Sequence, residues 1–166
     1  MVHQASFAAY KGWNHEWIAY FLVGFSISGG IATFGTGPLV DRFTARALLP
    51  FLLLPMGTGT AILALSRSPV AGAIFFVLIG LGMGAGRNIR PAVWAEVYGT
   101  RNLGAIRSLE STFVVFAASL SPGITGWILD RGMKIDHLLF IAVATIAAVS
   151  ALSAMAPKPK SEKPGD

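Results

Sequence analysis

Two arginines stand in a stretch otherwise suited to lipid. Arg87 and Arg90 follow the apolar, glycine-rich run 70–86, with only Asn88 and Ile89 between them. At ~1.5 Å of rise per helical residue, Arg87 sits about 15 Å inward of Val97, near mid-membrane, and Arg90 lies one turn nearer the surface. At ~100° per residue, Met83, Arg87, Arg90 and Trp94 share an arc of about 60° on one helix face. A charge at the bilayer centre costs about 3 kcal/mol even on the mildest scales, so it is expected to face protein or a watery cavity. The chemistry this stripe offers is the binding of an anionic group, with Arg87 as the principal cation and Arg90 beside it. Asn88 is a further binding candidate, although it lies on a different face from Arg87. The competing readings are structural: Arg87 pairs with a carboxylate on another helix, or Arg90 snorkels to the interface. The carboxylates on that side are Asp41, Glu96 and Glu110, all near the surface.

Other spacings carry weaker chemistry. Glu110 follows Arg107 by three residues, so the two can meet on one helix face as an ion pair at the membrane edge. The alternative role for Glu110 is proton coupling. The run Gly37–Arg46 turns the chain sharply between two apolar blocks. There Gly37 permits close backbone approach, Asp41 can accept hydrogen bonds from a helix N-terminus, and Arg42 and Arg46 anchor the turn at an anionic surface. Pro122 and Gly123 interrupt a fourth block, as prolines do at sites and also in membrane helices generally.

Several classes of chemistry find no residues. The alternating Gly80, Gly82, Gly84 and Gly86 resemble a nucleotide loop, but no strand precedes them and no P-loop lysine follows. Their spacing instead suits close helix approach in lipid. His3, His15 and His137 have no metal-ligand spacing. With no cysteine, disulfides, thiol catalysis and zinc–thiolate sites are excluded. Neither a cofactor, a metal nor an enzymatic constellation is expected. The net charge of +5 comes without a basic run interleaved with aromatics, so nucleic acid is not an expected partner.

The elements that position these residues follow from composition. The chain is 54% hydrophobic and 13% charged, against about 25% charged in a soluble domain. Its apolar residues form long uninterrupted blocks, and a spanning helix needs about 20 of them. Spans are expected over 17–40, 47–66, 70–98, 108–129 and 137–156. No block shows the period-2 alternation of barrel strands, so the fold expected is all-α, a polytopic transmembrane bundle of about five spans in a lipid bilayer. Residues 1–16 read as an extracytoplasmic segment or as the last turns of a truncated helix. Residues 157–166, with lysines among prolines, read as a disordered basic tail. One side of the bundle holds Arg42, Arg46, Arg101, Arg107, Lys158, Lys160 and Lys163, and the other Lys11, Arg67, Arg131 and Lys134. The richer side is expected to be cytoplasmic, placing the N-terminus outside and the C-terminus inside, in the plasma (inner) membrane.

The turn at 37–46 is also the most specific pattern in the chain. It resembles the signature loop of the major facilitator superfamily of secondary transporters, in outline Gly-x-Leu-x-Asp-Arg-x-Gly-Arg-basic. Gly37, Leu39, Asp41, Arg42 and Arg46 match, while Thr44 and Ala45 depart from it. Residues 94–107 resemble that family's loop between helices ten and eleven, and 121–130 the outer half of helix eleven. The resemblance implies helices eight to twelve of a C-terminal half, with a gating role for the 37–46 loop and a small solute as cargo. An organic anion is the solute that Arg87 and Arg90 suit. A complete member has twelve helices in two halves that rock against each other, so the resemblance implies a partner chain or an N-terminal half outside this sequence. The alternatives are a membrane-embedded assembly subunit and an inactive fragment, neither transporting by itself.

Overall fold

The computed structural model describes residues 15–66, 68–133 and 135–155. The expectations for 1–14 and for the tail 157–166 lie outside the described residues. Six helices follow in order: α1 (His15–Arg42), α2 (Ala45–Leu52), α3 (Leu54–Leu65), α4 (Pro69–Tyr98), α5 (Leu103–Asp130) and α6 (Ile135–Met155). No strand occurs among the described residues. α2 and α3 together make one span, so five segments are long and apolar enough to cross a membrane. The protein is an all-α bundle of membrane-spanning helices.

Local chemistry sets where the helices break. The second span is not the single helix its apolar run suggests. Pro55 has no N–H to return to Phe51 O. Leu53 N supplies Phe51 O instead, and the chain re-enters a helix with Pro55 in its first turn. Thr44 and Ser68 cap the following helices from extended backbone, their hydroxyls accepting from Ala47 N and Val70 N. α4 ends on Gly99 at φ 71°, a left-handed conformation that glycine adopts without steric cost. α5 begins earlier than the apolar block alone indicates, so Arg107 and Glu110 both lie inside the helix.

α4 is the hub, packed by α1, α2 and α3. Its glycine stripe explains how. Gly80, Gly82, Gly84 and Gly86 are all buried. A Cβ on Gly80 would collide with Ser28 Oγ and Phe25 O, and one on Gly84 with the backbone of Gly29. On the other side, a Cβ on Gly82 would meet Met56 Cγ at 2.6 Å. The helices touch backbone to backbone, where dispersion replaces the hydrophobic drive that lipid removes. Phe21, stacked on Phe76 at 5.5 Å, and Leu63 fill the apolar centre at the other end. α6 closes against α2 and α3, with Ser150 Oγ donating to Pro50 O at 2.9 Å beside the helix break. α5 differs from the rest: it has no buried residue and meets the bundle chiefly along α4 among the described residues.

Candidate functional site

The seam between α4 and α5 holds a cavity of 330 Å³ lined by Gly86, Arg87, Arg90, Pro91, Arg107, Glu110, Ser111 and Val114. Each helix contributes a stripe with the same spacing. Arg87, Arg90, Pro91 and Trp94 stand at i, i+3, i+4 and i+7 of α4, and Arg107, Glu110, Ser111 and Val114 repeat that spacing on α5. Residues so spaced share one helix face. Three guanidiniums and one carboxylate therefore meet in a cleft with positive net charge.

Glu110 organises the cleft. Its Oε2 accepts from Trp94 Nε1 at 2.7 Å, and its Oε1 lies 3.9 Å from Arg90 Nη1. Arg90 Nε donates to Gly86 O at 3.3 Å. Helical side chains lean toward the N-terminus of their helix, which carries the Arg90 guanidinium back along α4 toward the glycine stripe. Snorkelling to the C-terminal end of α4 is not what it does. Gly86 makes room, since a Cβ there would stand 3.2 Å from Arg90 Nε and Nη2. Arg87 is exposed and, among the described residues, holds no hydrogen bond or ion pair. The expected structural alternative, pairing with Asp41, Glu96 or Glu110, is not formed.

A second cavity of 520 Å³ adjoins on the α1 side, lined by Gly37, Val40, Asp41, Arg87, Asn88, Pro91, Ala92 and Arg107. Arg87 and Arg107 border both cavities, so the 37–46 turn and the α4–α5 seam share two cations.

Several sequence expectations change in detail. Asn88 faces α1, where Nδ2 donates to Thr33 O at 2.6 Å and Thr36 Oγ1 at 3.1 Å. These bonds fasten two helices, which is work for the scaffold. Arg107 and Glu110 do not pair with each other, because Trp94 and Arg90 take the carboxylate across the seam. Gly37 has open space where its Cβ would be, and the close approach of α1 to α4 occurs at Gly29. Asp41 and Arg42 belong to the last turn of α1, and both are exposed. The carboxylate at the N-terminus of α2 is Glu96, not Asp41: Oε1 accepts from Ala45 N at 2.6 Å and Oε2 from Arg46 N at 3.2 Å. Two orphan donors of a helix end meet a negative charge, the favourable sense for the helix dipole.

The matched spacing of 87, 90, 91, 94 and 107, 110, 111, 114 is a signal that was present in the chain. The Glu96 contact has no such signal, since it joins residues some fifty positions apart.

The family model described as Major Facilitator Superfamily matches residues 2–166. Among curated proteins and among solved structures, nothing matches the chain significantly. The match covers nearly the whole chain and agrees with its apolar helices: this integral membrane protein belongs to the Major Facilitator Superfamily, whose members carry small solutes across membranes.

Proposed function

We propose that the chain forms the region of helices eight to twelve in the C-terminal half of a major facilitator transporter, and that its solute is a small organic anion. The observation that carries the reading is the α4–α5 cleft, where Arg87, Arg90 and Arg107 outnumber the single carboxylate Glu110. A guanidinium in a low-dielectric cleft attracts an anion far more strongly than it does in water. Arg87 and Arg107 have no partner among the described residues and are the free donors, Arg87 being the one on the same helix face as Arg90. Arg42 and Arg46 sit at the turn between the first two spans, and with Asp41 they form the gating loop that faces the cytoplasm. The N-terminus lies outside, the C-terminus inside, and the bilayer is the plasma (inner) membrane. Alternating access requires a second half, supplied by further sequence or a partner chain.

The test is uptake of a labelled organic anion such as succinate into proteoliposomes holding the assembled transporter. Arg87→Gln is expected to lower uptake at subsaturating solute about tenfold or more, the scale of a charge-assisted hydrogen bond. Unchanged uptake rejects the assignment.

One observation favours a second reading, an assembly subunit without transport: α5 presents no buried residue. Flux through liposomes that hold this chain together with its second half separates the two. Arg87→Gln lowers the flux if the chain is a transporting half and leaves it unchanged if the chain is an assembly subunit.

A further inference from the structure

The donor set at the α4–α5 seam is already occupied by an anion, and that anion is part of the chain. Glu110 takes the Trp94 indole N–H on one oxygen and faces Arg90 with the other. The first contact is short, at 2.7 Å, and the second long, at 3.9 Å, so the Arg90 side is the looser one. Arg90 and Glu110 are respectively 46% and 27% exposed, within reach of anything that enters the cavity. Arg87 stands in the same lining with no partner of its own among the described residues. Among those residues, Glu110 is also the only polar side-chain link from α5 to the rest of the bundle.

We propose that Glu110 is a resident counter-anion that a solute carboxylate displaces from Arg90, and that its displacement loosens α5 against α4. This rests on the anion reading of the cleft and names the class within it. Arg87 and Arg90, three residues apart on one helix face in the same lining, offer a guanidinium to each oxygen of a carboxylate. The incoming carboxylate takes Arg90 and gains Arg87, which Glu110 does not reach. Glu110 then loses one of its two partners, and α5 keeps a single hydrogen bond to the bundle. Occupancy of the cleft and position of α5 become one equilibrium, since a ligand shifts a conformation only by binding its two states differently.

The experiment measures succinate binding by calorimetry to the transporter in lipid nanodiscs, for the native protein and for Glu110→Gln, Arg87→Gln and Arg90→Gln. Glutamine keeps the shape and an acceptor for Trp94 but removes the competing charge. Glu110→Gln is expected to lower the Kd about fivefold, the upper end for a partly exposed ion pair, while both arginine variants raise it. If Glu110→Gln leaves the Kd unchanged or raises it while the arginine variants weaken binding, displacement is wrong and the anion reading stands. If the arginine variants bind as the native protein does, or the native protein shows no saturable binding, both fail. A second measurement needs no change at Glu110. The chain has no cysteine, so spin labels can be placed at Val97 and Leu109, both exposed. Succinate is expected to lengthen or broaden the distance distribution between them, and an unchanged distribution rules out loosening of α5.

Discussion

Trp94 Nε1 donates to Glu110 Oε2 at 2.7 Å, across a seam where α5 buries no residue of its own. This hydrogen bond holds a helix that packing does not. A bond to a charged acceptor contributes about 1.5–3 kcal/mol in a protein, and less between membrane helices, where about 0.6 is typical. Trp94→Phe keeps the ring but removes the donor. It is expected to loosen α5 by about 1 kcal/mol, read as faster protease cleavage in the 99–102 connection with little change in total helix content by circular dichroism.

The glycine stripe makes a sharper prediction because neighbouring backbone cannot yield. Gly84→Val forces a side chain into the backbone of Gly29. The expected cost is about 3 kcal/mol or more, as overpacking goes, seen as loss of the folded monomer in detergent. Gly123, in α5, has open space around its would-be Cβ. Gly123→Ala is expected to change stability by less than about 1 kcal/mol, in the stabilising direction set by helix propensity.

Glu96 and Asp41 are to be compared in one assay. Glu96→Ala removes the carboxylate from two N–H groups of α2. A loss of about 1 kcal/mol is expected, the scale of a helix cap. Asp41→Asn, at an exposed position, is expected to move the thermal unfolding midpoint by an amount equivalent to less than about 0.5 kcal/mol. Its effect is expected in the uptake assay rather than in stability.

Asn88 and Arg87 are adjacent in sequence but are expected to fail differently. Asn88→Ala loses the bonds to Thr33 and Thr36 and about 1 kcal/mol of stability, with the Kd for succinate nearly unchanged. Arg87→Gln shows the reverse pattern. Measuring unfolding and succinate binding on both variants checks the division.

The chain by itself determined the class of fold and the places of its spans. Uninterrupted apolar blocks can satisfy their backbone only as helices in lipid, and that constraint is local. It also showed the small-residue stripe of α4 and the arginine stripe that follows it in the same apolar helix, because both are spacings along one helix. It did not show that the second span breaks at Leu53, where Pro55 removes a backbone donor within an otherwise apolar run. Nor could it choose partners for charges. The 107–110 spacing permits a pair within α5, yet Glu110 binds Trp94 and Arg90 on α4. Asp41 is the carboxylate nearest in sequence to the N-terminus of α2, yet Glu96 reaches it across the bundle. Asn88 looks like a binding group until Thr33 and Thr36 are brought beside it. In each case several partners are compatible with the local spacing, and only the packing of α4 against α1 and α5 sets which donor and acceptor come within bonding distance.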